Sequence, residues 1–290
     1  MHHVGINVFC IGETKGNTEG QRKWLDHIGA ENYEISTDLT GPESVIGHAA
    51  KRCYMSFEPG LNPNVSKVRK DWAQYFENIL KSGHGSVLEH GTYTYAIEGV
   101  SRVFSGEMNR HRAGVAISEG SMRYIRFEDV PFWMPPSIRL TAEEQAYYDK
   151  FEGTDYFMTK DAELASLVKK KITSQLVFDD MFRMAEEAYR ELGEVWGIDD
   201  PDTPMLFSQK KILTSMFRRI MPMGVATGGV WTFNLRALRH ILALRTSPHA
   251  EEEIAYAVSL IAKDIISREP RLFCDFEETE AGWVPKYEKV

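Results

Sequence analysis

The stretch Arg110-His111-Arg112-Ala113-Gly114-Val115-Ala116-Ile117-Ser118-Glu119-Gly120-Ser121-Met122-Arg123-Tyr124 concentrates the unusual chemistry of this chain. Cationic and imidazole side chains, a carboxylate, hydroxyls and a phenol follow one another with only small or aliphatic residues between them, and such a run cannot be a core. Successive basic residues point in different directions from a helix end, so they cannot share one apolar face. A guanidinium is a flat fork of donors, and each charge-assisted bond it makes to phosphate contributes about 1.5–3 kcal/mol. Gly114 and Gly120 let backbone N–H groups approach an anion closely. The stretch reads as a pocket for a phosphorylated, planar ligand; the plainer alternative is a solvated basic helix end followed by a polar loop.

Working outward, Val100 to about Arg112 reads as a helix that carries the basic group at its C-terminal end, where the helix dipole favours cations. Tyr124 to Phe127 reads as extended. Upstream, Gly83-His84-Gly85-Ser86-Val87-Leu88-Glu89-His90 is a glycine-broken loop before Thr92–Ile97, whose β-branched and aromatic residues predict a strand. His84, Glu89 and His90 do not have zinc-ligand spacing, and no metal is expected. Val4–Cys10 reads as a strand, residues 1–32 as an N-terminal extension, and Tyr33–Ser36 as a short strand. Helices are expected from Val45 to Tyr54 and from Ser66 onward, the second with Val68, Trp72, Tyr75, Phe76, Ile79 and Leu80 at helical spacing.

Downstream, Thr141-Ala142-Glu143-Glu144 is a capping box that opens a helix to Phe151. Residues 152–164 read as an insertion, and Lys169–Leu192 as a long helix. Thr203-Pro204 fits an N-cap followed by Pro at the first helical position, with a helix from Met205 to Met221 bearing Arg218 and Arg219. Gly224–Thr232 reads as a strand or extended link. Asn234–Leu244 is a helix presenting Asn234, Arg236 and His240, with Arg245 just after it; Asn234 alone reads as its N-cap. His249–Ile266 is amphipathic. No repeat, low-complexity tract or linker divides the chain, so residues 33–290 are expected to form a single mixed domain.

Composition sets the class. With 290 residues, 43% hydrophobic and 26% charged, the chain has an ordinary globular balance. It lacks the run of about 18 apolar residues that a membrane helix needs, and Met1-His2-His3-Val4-Gly5 lacks the start of a signal peptide, so a cytoplasmic location is expected. Cys10, Cys53 and Cys274 form no paired motif, and Cys53 reads as a buried, inert thiol. A formal charge of −8 disfavours nucleic acid as a partner. The clustered arginines then serve a small anion.

The basic-to-Ser-Arg-Tyr stretch resembles the signature of the flavin-dependent thymidylate synthase family, in which Arg-His-Arg is followed by Ser and then Arg-Tyr. Glu89-His90, Ile97-Glu98-Gly99-Val100-Ser101-Arg102, Trp231-Thr232-Phe233-Asn234-Leu235-Arg236-Ala237-Leu238-Arg239-His240, Leu244-Arg245, His249-Ala250 and Glu253-Ile254 are similar to the same family, in the same order. The resemblance implies an α+β fold with a central, largely antiparallel sheet flanked by long helices. It implies an FAD-dependent methyltransferase that makes dTMP from dUMP with methylenetetrahydrofolate and NADPH as co-substrates. It also implies a homotetramer with its sites between subunits.

Position by position, Arg245 resembles the arginine that favours the ionised edge of the uracil. Ser86, Arg110, His111, Arg112, Ala113, Glu119, Asn234, Leu235, Arg236 and His240 resemble the flavin contacts. Glu107, Arg110, Glu119, Gly120, Ser121, Met122, Arg123, Arg218 and Arg245 resemble the nucleotide side. Two departures touch that side: the loop between Arg112 and Ser121 is one residue longer than usual, and Glu107 stands where the family commonly has Gln. They motivate an alternative product, a 5-hydroxymethyl deoxypyrimidine nucleotide made from dUMP or dCMP.

Overall fold

In a computed structural model of the chain, residues 1–125 and 129–290 are described. Strands β1 (His2–His3) and β2 (Asn7–Glu13) precede α1 (Thr18–His27), whose first turn Asn17 closes by accepting from the Gly20 N–H. Helix α2 (Gly41–Tyr54) opens on a capping box of Thr40 and Glu43. Helix α3 (Trp72–Lys81) begins later than its apolar spacing suggests, because Asp71 takes the Gln74 N–H and fixes the first turn there. A 3₁₀ turn (Gly85–His90) leads into β3 (Thr92–Ser101), α4 (Arg102–Met108), β4 (Val115–Glu119) and β5 (Pro131–Phe132).

Helix α5 (Ala142–Phe151) has the capping box expected of Thr141 and Glu144. Helix α6 (Ala162–Val195), capped by Asp161, spans 34 residues and starts inside the segment read as an insertion. Then come α7 (Phe207–Phe217), β6 (Ala226–Asn234), α8 (Leu235–Arg245), α9 (Glu252–Arg268) and the hairpin of β7 (Phe276–Thr279) and β8 (Gly282–Pro285).

The main sheet has the order β2-β3-β6-β4. Its partners run in opposite directions: Thr14 N–H bonds Thr92 O and the Gly12 Cα faces Thr94; the Thr94 and Thr232 hydroxyls lie 2.9 Å apart while Gly228 faces Glu98; and Asn234 N–H bonds Gly114 O while Gly120 N–H bonds Gly228 O. The class expected from the sequence, mixed α and β with an antiparallel sheet and long helices, is the one found. Residues 1–32, expected as an extension, supply α1 and the edge strand β2.

The chain packs as two compact units: Met1–Asn7, Glu98–Gly106 and Glu119–Gly228 form one, and Val8–Ile97, Glu107–Ser118 and Gly229–Val290 the other. In the first, Met122, Val130, Phe132, Met134, Phe182 and Val225 make a core in which the Phe132 and Phe182 rings stack 4.2 Å apart. In the second, α9 buries Ile254, Ala257, Val258, Ile261 and Ile265 completely, as its amphipathic pattern requires.

Several local expectations are corrected. Tyr33–Ser36 is not a strand, since Arg22 satisfies the Tyr33 carbonyl at 2.7 Å and the Tyr33 ring packs edge-on against Phe57. The first long strand lies at Asn7–Glu13 rather than Val4–Cys10. The helix expected over Val100–Arg112 is shorter, because β3 runs on to Ser101, whose hydroxyl caps Val103 and Phe104 N–H. Arg110–Arg112 therefore sit in the turn between α4 and β4. Thr203 does not cap α7: its hydroxyl bonds Asp200, and Gln209 instead takes the Leu206 N–H at 2.9 Å. Cys53 is exposed, not buried. Tyr124 is in a turn closed on Ser121 O, and Arg126 and Phe127 lie outside the described residues.

Candidate functional site

The α4–β4 turn and the start of α8 face each other within the second unit. Asn234, the last residue of β6, caps α8 by accepting from the Ala237 N–H at 2.8 Å, and its own N–H bonds the Gly114 carbonyl at 2.8 Å. Gly114 has φ +72°, and a Cβ there would lie 2.4 Å from the Asn234 amide nitrogen, so only glycine lets the turn close on the cap. The plain reading of Asn234 as a cap is thus correct. It does not exclude a ligand, because the amide nitrogen makes no hydrogen bond within the described residues.

These elements enclose a cavity of about 600 Å³ lined by Glu89, Arg110, His111, Arg112, Ala113, Gly114, Asn234, Arg236, Ala237, His240, Ile241 and Val290. Ser86 opens instead on a neighbouring cavity of about 620 Å³ that shares Arg236. Arg236 donates to Glu89 at 2.7 Å across its exposed rim. Leu235 is fully buried and bonds Gly91 O through its N–H, so its side chain is not available to a ligand. The Arg110, Arg112 and Arg236 guanidiniums, the imidazoles and the Asn234 amide provide donors and positive charge around a space within the size range of ligand sites. That donor set fits a planar, anionic cofactor such as a flavin nucleotide.

Arg245, at the end of α8, is one hydrogen bond from this cavity. Its Nε donates to His111 Nε2 at 2.8 Å, Nη1 to the Glu107 carboxylate at 2.7 Å, and Nη2 to the Glu107 carbonyl at 3.3 Å. A guanidinium can only donate, so His111 must accept at Nε2 and is neutral with its proton on Nδ1. Burial, then the Arg245 cation and His240, hold the His111 pKa below its ordinary value, while Glu107 opposes them. The His111 and His240 rings lie 6.3 Å apart. Glu107 turns its carboxylate to Arg245, which answers what a carboxylate does where the family commonly has an amide.

The remaining expected residues lie in the first unit. Arg102 pairs with Glu119 and also reaches the Gly120 carbonyl at 3.5 Å. Gly120 N–H is tied to Gly228 O at 2.8 Å. The Ser121 hydroxyl accepts from Arg123 N–H, and the Arg123 guanidinium donates to Ser215 at 3.0 Å. Met122 is buried in the core, so its side chain does not face a ligand. Arg218 is half-buried in a 3₁₀ turn at the end of α7. The structure thus groups Glu107, Arg110–Gly114, Asn234, Arg236, His240 and Arg245 in one unit and Glu119–Arg123 with Arg218 in the other. Sequence reading missed Arg102 as the partner of Glu119 and Glu89 as the partner of Arg236. Both stand in the family-like blocks, but charge pairs so far apart in the chain leave no spacing signal.

The profile of a family described as thymidylate synthase complementing protein matches residues 35–271. The flavin-dependent thymidylate synthase of Mycobacteroides abscessus is 28% identical over 252 residues, covering 87% of this chain and 86% of that one. Its counterpart from Mycobacterium tuberculosis is 27% identical over 254 residues, covering 88% and 87%. Among solved structures, a UMP/dUMP methylase PolB from Streptomyces cacaoi bound with 5-Br dUMP superimposes with a TM-score of 0.56 at 18% identity, over 93% of this chain and 94% of that one, which shows a common fold. With most of its length matched by that profile, the chain belongs to the thymidylate synthase complementing protein family.

Proposed function

We propose that this protein is a flavin-dependent thymidylate synthase that methylates dUMP reductively to dTMP, with FAD bound and with methylenetetrahydrofolate and NADPH as co-substrates. The observation that carries the reading is the Arg245 guanidinium, held by His111 and Glu107 beside a cation-lined cavity. Arg110, His111, Arg112, Ala113, Asn234, Arg236 and His240 would hold the flavin, with Leu235 contributing only its backbone, Ser86 approaching from the adjoining cavity and Glu119 shared with the nucleotide. Once bound, the flavin supplies hydride to the pyrimidine.

Arg245 does the electrostatic work on the substrate in this reading. Its N–H groups not taken by Glu107 and His111 meet the N3–C4–O4 edge of uracil, and a permanent cation there favours the ionised ring and makes C5 nucleophilic. Gly120, Ser121, Arg123 and Arg218 gather the phosphate, Arg110 reaches the nucleotide as well, and Met122 takes part through its backbone. A homotetramer with sites between subunits and a cytoplasmic location complete the reading. The exposed Leu176, Val177, Met181 and Met184 on α6 give such an assembly an apolar face to cover. Sedimentation tests this point: a stable monomer with bound flavin would count against it.

Glu107 favours a second reading. Its carboxylate cancels much of the Arg245 charge, so the bias toward an ionised uracil edge is reduced and the amino group of a cytosine finds an acceptor. The product would then be a 5-hydroxymethyl nucleotide from dUMP or dCMP. Incubation of the protein with dUMP or dCMP, methylenetetrahydrofolate and NADPH, followed by mass measurement of the nucleotide, separates the readings. A gain of CH2 on dUMP, the mass of dTMP, is expected; a gain of CH2O on dUMP or dCMP selects the alternative, and unchanged nucleotide with flavin-loaded protein sinks both.

A further inference from the structure

We infer that the cavity between the end of α2, the 64–69 segment and the 3₁₀ turn at Gly85 binds the 2′-phosphorylated adenosine end of the pyridine dinucleotide reductant. The inference rests on the flavin reading above and adds to it a place for the electron donor. The cavity measures about 620 Å³, within the range of small-molecule sites. In a chain whose 42 acidic residues outnumber its 34 Lys and Arg, its lining contains Lys67, Arg69, Arg236 and His84 but no Asp or Glu. Carboxylates are the residues an anion site must exclude.

Lys67 and Arg69 are exposed and enter no ion pair among the described residues, so their charge is free for a ligand. Two cations lining one cavity suit a terminal phosphate dianion better than a single carboxylate. Beneath them Lys51 is 2% exposed. Its ammonium lies 4.7 Å from the centre of the Tyr75 ring and 3.4 Å from the Arg69 carbonyl, with no acidic partner among the described residues, and adds to the positive potential beside the cavity. Tyr54 and His84 supply an aromatic flank, their rings 6.0 Å apart with 31° between the ring planes, against which a purine can lie. Arg236 lines this cavity and the Arg110–His240 cavity alike, so a dinucleotide seated here extends toward the place proposed for the flavin.

The test is a Lys67→Ala/Arg69→Ala double variant of the flavin-loaded protein, titrated with NADP⁺ and NAD⁺ by calorimetry and assayed with NADPH. The dissociation constant for NADP⁺ and the Michaelis constant for NADPH should each rise by at least about tenfold, the loss of a charge-assisted phosphate contact. NAD⁺ binding, flavin content and turnover with chemically reduced flavin should hold, and Lys67→Arg should keep the affinity. Unchanged NADP⁺ affinity overturns the inference. So does loss of the flavin, which would assign the cavity to the flavin's own adenylate, or an effect confined to the folate, which would assign it to a glutamyl tail. If dTMP never forms while NADP⁺ binding still depends on Lys67 and Arg69, the proposed reaction fails and this site stands.

Discussion

Two arginines of α8 are put to different uses. Arg239 is closed off from solvent: Nη1 and Nη2 make a two-pronged contact with Asp275 at 2.9 and 2.8 Å, Nη1 also bonds the Leu272 carbonyl at 2.8 Å, the guanidinium lies 4.8 Å from the centre of the Phe276 ring, and its buried Nε finds no hydrogen-bond partner among the described residues. The two side chains of that pair are 5% and 1% exposed. Arg245 projects about 240° further round the helix, is 15% exposed, and is held by one carboxylate and one neutral imidazole. A guanidinium buried against a carboxylate of its own chain, out of reach of solvent, fastens the β7–β8 hairpin region to α8. One held along part of its edge, with solvent beside it, keeps donors for another molecule. Charge alone does not separate the two; what surrounds each fork does.

The sharpest way to break that contrast is to remove each partner in turn. Asp275→Ala strands a buried cation and should lower stability by about 3–5 kcal/mol, read as the shift of a denaturation midpoint; a loss of less than about 1 kcal/mol would show Arg239 to be dispensable. Arg245→Ala should leave the midpoint within about 1 kcal/mol of the parent and keep the flavin bound, yet lower turnover at least about 10²-fold, the scale of a lost transition-state donor. Near-normal turnover in that variant would refute the part proposed for Arg245.

A buried carboxylate with no arginine partner among the described residues sharpens the comparison. Glu269, with no exposure, receives hydrogen bonds from the Tyr93 hydroxyl at 2.5 Å and the Thr40 hydroxyl at 2.8 and 2.9 Å. Its basic sequence neighbours, Arg268 and Arg271, are paired elsewhere, with Asp264 and with Glu43 and Asp38. Burial pushes its pKa from 4.5 up to about 7, against the pull of the two hydroxyls and with Glu43 and Glu13 adding to the rise. A carboxyl whose folded pKa is raised contributes stability below its unfolded value, and that contribution is lost as pH climbs through about 7. Glu269→Gln cannot ionise. Its stability relative to the parent should improve by about 2–3 kcal/mol between pH 5 and pH 8, and a pH-independent difference would show that Glu269 is already charged in the fold.

Local signals were legible where one segment satisfies itself. The Thr141–Glu144 box, the Asn234 cap and the buried stripe of α9 are written in adjacent residues, and they form as read. What depended on distant partners was not. Val115–Glu119 is small and partly polar and reads as a loop, yet it is a strand because β6, more than a hundred residues on, pairs with it. Of the candidate site, the residue types and their order were visible through the family signature. The partnership of Arg245 with Glu107, 138 residues apart, was not, and it changes the meaning of the Glu107 departure from a substrate contact to a hold on the arginine.

The finest test lies in that hold. Glu107→Gln keeps an oxygen for the Arg245 Nη1 and removes only the charge, so the fold should be unaffected. With its counter-charge gone, Arg245 should favour an ionised uracil edge more strongly, and kcat/KM for dUMP relative to dCMP should rise several-fold. His111 supplies an independent readout. It must be neutral to accept from Arg245, so turnover should fall as pH drops through its pKa, which lies below the ordinary 6.5. The same group contributes stability that is present above about 6.5 and is lost as pH falls toward the folded value. Because Glu107 works to raise that pKa, removing its charge should move the acid limb of the pH profile to still lower pH. An acid limb that stays in place, or moves upward, would mean that Glu107, His111 and Arg245 do not act as one unit.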